Sequence, residues 1–389
     1  KNKLEKFSNK KQTFNVYKNK KIKVGYYSSD FFDHATMYLI SGLLREHNKD
    51  QFEIMVFNYG KNKPTEFVNE TMKNVNLFKD ISNFPDLEVV KLSRDLKIDI
   101  AIDLKGFTYN SRSKLFAYRL APIQINFLGY PGSLGSSFID YIIADKTLIP
   151  DNYRENYSEK IIYLSNSYQP NDEKIEISKI KTKKEDFGFP QYSKILGCFN
   201  STYKITTEEL EIWSRILNKV ENTYLWLIKT NDIAEKNLIN FFKQRNINTN
   251  RIKFAENIKH SKHLERISHS DLFLDTFNYN AHTTCSDALW VGVPVITKIG
   301  KQFSARVASS LLNSLNLQEL ITNNNNDYEN LILDFLNNSE KLNKLKNKLK
   351  KNIKTEALFN TKKYTQDFET KLKKAYNKKK LNDEISDIE

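Results

Sequence analysis

The chain has 389 residues, 39% of them hydrophobic and 12% aromatic, which is enough to bury cores in two ordinary domains and excludes global disorder. A formal charge of +14 points to an anionic partner, yet the Lys excess sits in residues 1–23 and 341–380, where a solvated surface explains it, and no nucleic-acid recognition motif accompanies it. Two cysteines, Cys198 and Cys285, exclude a disulfide framework and a four-Cys metal site and fit a reducing, cytoplasmic compartment, while no apolar run nears the ~18 residues of a membrane span.

After a basic leader (residues 1–20), IKVGYYSSDF predicts a strand over Ile22–Tyr27 that ends in Ser28, Ser29 and Asp30. FFDHATMYLISGLLREH turns helical near Ala35, so His34 lies between a strand end and a helix start. FEIMVFNYG, IDIAIDLKGF, IQINFLGYPGSLG, DYIIAD and KIIYL read as further strands, with LEVVKLSRDLK and SRSKLFAYRL as helices among them. This alternation predicts a parallel, doubly wound sheet over residues 21–175. The polar, Lys-rich stretch from Asn171 to Tyr192 reads as the connection between halves.

The alternation restarts over residues 190–325. KILGCFN, TYLWLIK, RIKFAE, LFLDT and PVITK are strands, and TTEELEIWSRILNKV is a helix with Thr206 or Thr207 as N-cap. Residues 326–380 read as helices rich in Leu and Lys, and residues 381–389 as a frayed tail. The expected class is α/β: two doubly wound domains facing across a cleft, with ligands at the carboxyl ends of their strands and helices at the C-terminus.

The stretch LFLDTFNYNAHTTCSDALWVGVPVITK, Leu272 to Lys298, carries the strongest site signal. A buried strand delivers a hydroxyl-rich loop onto a helix start, where free N–H groups and the positive end of the helix dipole favour an anion. Thr283 and Thr284 add hydroxyls, and Asp287, one turn in, can accept bonds from sugar hydroxyls. Lys204 follows a strand and precedes a helix, placed to neutralise a phosphate. His260 and His263 fall at i, i+3, but no carboxylate or Cys completes a zinc pattern with them; His269 reads as a surface residue. No Asp-x-Asp pair occurs, so a sugar-nucleotide enzyme built this way would meet its leaving group with Lys204 and helix-terminal donors and no metal. The turn from Gly129 to Gly135 is neither a dinucleotide nor a Walker motif, and the absence of G-x-S-x-G argues against an α/β-hydrolase.

Taken together, VGYYSSDFFDHAT, IDLKGFT, LFAYRLAPIQINFLGYPGSLGSSFIDYIIAD, YSEKIIYL, FNSTYKI, LDTFNYNAHTTCSDALWVGVPVIT and SARVASSLL resemble the catalytic region of the protein O-GlcNAc transferase/SPINDLY family, glycosyltransferase family 41. The resemblance runs in order from about Lys21 to Leu372, and Asp103 to Gly106 has the bacterial form. It implies a GT-B fold with the nucleotide sugar held mainly by the second Rossmann-like domain. By motif, His34 matches the family's active-site histidine and Lys204 the lysine on the UDP diphosphate. His282, Thr283 and Thr284 match the residues around the diphosphate, Asp287 the acid on the ribose, and His263 the histidine beside the uracil. Gly129 and Pro131 lie in the loop near the sugar. Ser201 stands where animal members have Gln, and His260 where they have Lys near the nucleotide.

The function implied is an inverting, metal-independent transfer of a sugar, GlcNAc from UDP-GlcNAc, to Ser/Thr hydroxyls of proteins, with no cofactor. Alternatives of the same fold are transfer of fucose from GDP-fucose or glucose from UDP-glucose, to protein or glycan; a non-catalytic nucleotide-binding module is the alternative of another class. The expected partners are a nucleotide sugar and a protein acceptor, without nucleic acid or membrane span. The family's tetratricopeptide repeats do not occur in this chain, which begins with Lys, so an upstream repeat domain is compatible with it.

Overall fold

The computed structural model describes residues 17–389, so most of the expected basic leader lies outside the described residues. The chain forms two compact units, Lys1–Lys174 with Ala357–Glu389, and Ile175–Glu356.

In the first unit, strands β1 (Ile22–Ser28), β2 (Phe52–Asn58), β3 (Leu77–Asp80), β4 (Ile100–Asp103), β5 (Ile123–Asn126), β6 (Tyr141–Ala144) and β7 (Lys160–Tyr163) pair in the order β3-β2-β1-β4-β5-β6-β7, all parallel. Helices α1 (Ala35–Glu46), α2 (Glu66–Met72), α3 (Asp86–Asp95) and α4 (Lys114–Ala117) lie in the crossovers. The strand order reverses between β1 and β4, where Tyr27 is in register with Asp103. The loops after those strands therefore emerge side by side, the usual place for a ligand in an open parallel sheet. The core is apolar, with Tyr27 stacked on Phe57 at 4.6 Å between ring centres. Each fully buried Leu, Ile or Phe contributes about 1.5–3 kcal/mol.

The helix expected from SRSKLFAYRL shrinks to α4, because Arg119 takes φ +64° and turns its guanidinium to Asp140 at 2.6 Å. Strand β3 is an edge strand with half-buried and exposed side chains, and its sequence LFKD carries no apolar run.

In the second unit, β8 (Lys194–Cys198), β9 (Thr223–Ile228), β10 (Ile252–Ala255), β11 (Leu272–Leu274), β12 (Val295–Lys298) and β13 (Ile321–Thr322) pair in the order β10-β9-β8-β11-β12-β13, again all parallel. The accompanying helices are α5 (Thr207–Lys219), α6 (Asp232–Lys243), α7 (His260–Ile267), α8 (Thr283–Trp290), α9 (Val307–Asn313), α10 (Asn325–Asn337) and α11 (Ser339–Thr355). Its order reverses between β8 and β11. Both cysteines are free and buried.

The C-terminal helices do not form one segment. α10 and α11 stay with the second unit, whereas α12 (Thr361–Lys380) returns to the first. There the Glu369 carboxylate accepts from His47 Nδ1 at 2.9 Å and from the Asn48 amide at 2.8 Å, and His47 Nε2 bonds the Tyr26 hydroxyl at 2.8 Å.

Residues 381–389, expected to fray, are corrected by the structure. Ile388 is buried and bridges Ile162 on β7, and Asp387 accepts two bonds from Arg154 at 2.6 and 2.8 Å. Among the described residues, no helix is long and apolar enough to cross a membrane.

Candidate functional site

The second unit gathers eight of the residues singled out in the sequence: Ser201, Lys204, His260, His263, His282, Thr283, Thr284 and Asp287. The loop after β8 closes in a 3-10 turn, Thr202–Lys204, with the Lys204 amide bonded to the Ser201 carbonyl at 2.9 Å. A capping box then starts α5: the Glu209 carboxylate accepts from the Thr206 amide at 2.9 Å, and its other oxygen accepts from the Phe277 amide at 2.7 Å. One buried carboxylate thus ties the loop after β8 to the loop after β11.

Lys204 enters that second loop. Its Nζ donates to the Asn280 carbonyl oxygen at 3.1 Å and lies 4.0 Å from the centre of the Tyr279 ring. Burial pushes its pKa down to about 8, against an opposing pull from Asp275. Asp275, fully buried at the end of β11, accepts from the amides of Thr276 (2.8 Å) and Ala281 (2.6 Å) and from the Thr297 hydroxyl (2.6 Å). Burial nevertheless raises its carboxyl to about 7.

His282 occupies the N-cap of α8 and stacks on Tyr279 with ring centres 4.9 Å apart. Burial, then the nearby Lys204, drive its pKa down to about 3, so it is neutral. The first bond of α8 runs from the Cys285 amide to the His282 carbonyl at 3.1 Å, so the Thr283 and Thr284 amides have no partner within the helix. At its other end α8 stops as the sequence predicts, with Gly292 at φ +82° and the Val293 amide on the Ala288 carbonyl at 2.9 Å.

α7 contributes the two remaining histidines. His260 Nε2 and Asp287 Oδ1 are 3.0 Å apart, which joins the start of α7 to α8. His263 Nδ1 accepts from Arg266 Nε at 2.9 Å, so its neutral ring carries the proton on Nε2. Burial, reinforced by the Arg266 and His260 charges, holds its pKa down at about 3, and the ring stands edge-on to Phe199 at 5.1 Å. Sequence reasoning missed Arg266, which is buried and cannot be distinguished in a chain so rich in cations. His269 is not a surface residue: it is half-buried, with Nε2 2.8 Å from the Thr182 hydroxyl.

His34, Gly129 and Pro131 belong to the first unit. His34 is the N-cap of α1, and its Nδ1 accepts from the Thr36 amide at 3.2 Å. The ring is partly exposed and stands 3.6 Å from Asp30. Its pKa is lowered by burial first, with Asp30 opposing and Lys105 adding to the shift.

Asp30 and Lys105 form a buried pair, Nζ to the two carboxylate oxygens at 2.9 and 2.8 Å. Asp103 holds the Lys105 and Gly106 amides at 2.9 and 3.0 Å. Gly129 packs on that same backbone: a Cβ there would lie 1.9 Å from the Leu104 carbonyl oxygen, so only glycine fits. Pro131 follows in the turn, which the Asn126 side chain closes by donating to the Gly132 carbonyl at 2.9 Å.

Among the described residues, no group of three or more His, Cys, Asp or Glu is arranged to hold a metal ion. A cavity of about 770 Å³ beside Asn278, Lys298 and Gln302 is lined by none of the eight gathered residues, although Gln302 donates to the Asn278 carbonyl next to Tyr279.

Comparison with known proteins follows the same lines. The sequence matches the family described as Glycosyl transferase family 41 over residues 2–183 and 170–368. It is 32% identical over 364 residues to a probable UDP-N-acetylglucosamine–peptide N-acetylglucosaminyltransferase SEC of Arabidopsis thaliana, covering 92% of this chain and 37% of that protein. It is 28% identical to a protein of Solanum lycopersicum named probable UDP-N-acetylglucosamine–peptide N-acetylglucosaminyltransferase SPINDLY, covering 89% of this chain and 38% of that one. The chain therefore spans well under half the length of these curated relatives. In fold it is similar to a solved O-GlcNAc transferase mutant of Thermobaculum terrenum, with a TM-score of 0.85 and 24% identity over 93% of this chain and 69% of that one.

Proposed function

The chain belongs to glycosyl transferase family 41, and on that premise we propose that it moves GlcNAc from UDP-GlcNAc to serine or threonine hydroxyls of polypeptides, with inversion at C1 and without a divalent ion. The observation that carries this reading is the placement of Lys204. Its half-buried ammonium donates into the loop that ends at the start of α8, where the Thr283 and Thr284 amides have no partner within the helix.

As the C1–O bond of the donor breaks, positive charge develops on the sugar and negative charge on the departing diphosphate. Fixed donors that meet this growing charge lower the barrier without reorganising. Lys204 supplies the full charge; the Thr283 and Thr284 amides and the α8 dipole supply the rest. His263 offers a flat neutral ring to the base. Asp287, with one oxygen on His260, turns the other to a ribose hydroxyl.

His34 takes a different part. With Nδ1 occupied by the Thr36 amide, its neutral ring carries the proton on Nε2. We assign it a hydrogen bond donated to an acceptor or sugar oxygen; it does not abstract the acceptor's proton.

The test is incubation with UDP-GlcNAc, UDP-glucose or GDP-fucose, with and without an acceptor polypeptide, reading free nucleotide and acceptor mass. The reading requires UDP release from UDP-GlcNAc and addition of an N-acetylhexosamine. Release from another donor alone, or none at all, refutes it.

A further inference from the structure

We infer that Asn200 and Thr276 are positioning residues for the diphosphate: with Thr284 they form a one-way hydrogen-bond relay that locks the Tyr279–Asn280 backbone beneath Lys204. The inference rests on the nucleotide-site reading above and adds two residues which that reading leaves without a role.

The relay has three links. The Thr284 hydroxyl and Asn200 Oδ1 are 2.5 Å apart, Asn200 Nδ2 and Thr276 Oγ1 are 2.8 Å apart, and Thr276 Oγ1 lies 2.6 Å from the Tyr279 carbonyl oxygen. Asn200 and Thr276 are buried, at 1% and 0% exposure, so water does not complete the bonds. The direction of the chain follows from its last member. A carbonyl oxygen only accepts, so the single hydroxyl proton of Thr276 points to Tyr279. Thr276 Oγ1 must then accept from Asn200 Nδ2, which turns the amide oxygen to Thr284, and Thr284 must donate. Flipping the amide would set two acceptors against each other at hydrogen-bond distance.

Two consequences follow for the site. The one proton of the Thr284 hydroxyl points inward, so Thr284 meets a diphosphate with its backbone N–H, and Thr283 is the hydroxyl donor of the pair. The relay also ends on the peptide that seats Lys204. Tyr279 provides the ring under its ammonium, and Asn280 provides the carbonyl that accepts from it. A second buried bond, Asn280 Nδ2 to the Thr276 carbonyl at 2.7 Å, closes the same loop. Both anion contacts of that reading, the helix start and the ammonium, thus hang on one buried amide and one buried hydroxyl.

The experiment measures the Kd of UDP by calorimetry for the whole chain and for Thr276→Val, Thr276→Ser, Asn200→Ala and the double Thr276→Val/Asn200→Ala variant. Thr276→Val is nearly isosteric and removes only the hydroxyl, so melting temperature separates a folded variant from an unfolded one. The relay predicts that Thr276→Val and Asn200→Ala each weaken UDP about tenfold, the scale of one lost hydrogen bond of about 1.4 kcal/mol. The double variant should be no weaker than either single one by more than about twofold, because the links act as one unit. Thr276→Ser, which keeps donor and acceptor, should bind within about twofold of the parent. In Thr276→Val the alkaline limb of kcat/KM should also move to higher pH, because a loosened loop admits water to Lys204.

Two results overturn the proposal. If the parent binds UDP but folded Thr276→Val and Asn200→Ala bind it equally well, or their losses multiply in the double variant, the relay is wrong and the nucleotide site stands. If the parent does not bind UDP, both fall.

Discussion

The Lys204 ammonium lies 4.0 Å from the centre of the Tyr279 ring and donates to the adjacent Asn280 carbonyl at 3.1 Å. A cation seated on a π face and one neutral carbonyl, and partly withdrawn from water, gives up its proton more readily than a lysine in water. Its pKa falls to about 8. The free enzyme should therefore lose kcat/KM as pH rises through about 8. An arriving diphosphate restores the opposite charge, so UDP binding above that pH should take up a proton. Calorimetry in buffers of different ionisation enthalpy reads this uptake directly, and Lys204→Ala should abolish it.

Asp275 is the counterweight. Its carboxylate raises the pKa of Lys204, so Asp275→Asn should move the alkaline limb of kcat/KM to lower pH. The stability sign is equally definite. The folded Asp275 holds its proton up to about 7, whereas an unfolded Asp releases it near 3.8, so the folded state binds more protons between those values. Its contribution is present below 3.8 and lost as pH rises to about 7. Melting curves of Asp275→Asn across this window should lack that downward slope.

His34 holds two jobs that substitution can separate. As N-cap it accepts from the Thr36 amide, a bond worth about 0.5–2 kcal/mol. His34→Asn keeps a capping oxygen and should melt close to the parent; His34→Ala should melt lower. Both should lose turnover, and both should keep the acidic limb of the pH–rate profile. Loss of that limb in His34→Asn would return His34 to the role of base.

The C-terminal tail makes a prediction that its composition hides. The Tyr163 amide donates to the Ile388 carbonyl at 2.9 Å, and the Ile388 amide donates back to Ile161 at 2.9 Å. Ending the chain at residue 380 removes these bonds together with the Arg154–Asp387 pair. Hydrogen exchange at Tyr163 should accelerate about tenfold or more. Unchanged protection there would mean the tail adds nothing to β7.

What could be read in advance followed the range of the interaction. The strand–loop–helix of residues 272–298 was legible because Leu272–Leu274, the Thr283–Thr284 pair and Gly292 each carry a local rule: apolar run, helix start, left-handed stop. The same holds for Thr206 and Glu209 at the start of α5. Strands β3 and β13 were not legible, since LFKD lies on an edge with its side chains only partly covered and Ile321–Thr322 is two residues long. His269 was misread because its partner, Thr182, is 87 residues away. Asn200 and Thr276 read only as strand ends and Tyr279 as a loop residue for the same reason: their bonds close over 76 residues or join a backbone carbonyl, which no local pattern announces.

The central claim is that the second unit grips a nucleoside diphosphate through Lys204. The measurement is the Kd of UDP at pH 7 for the parent and for Lys204→Ala, both shown to be folded. Losing one charge-assisted bond of about 1.5–3 kcal/mol should weaken binding roughly 10- to 150-fold. A Kd that changes less than about twofold would contradict the account, because the ammonium would then stand apart from the anion.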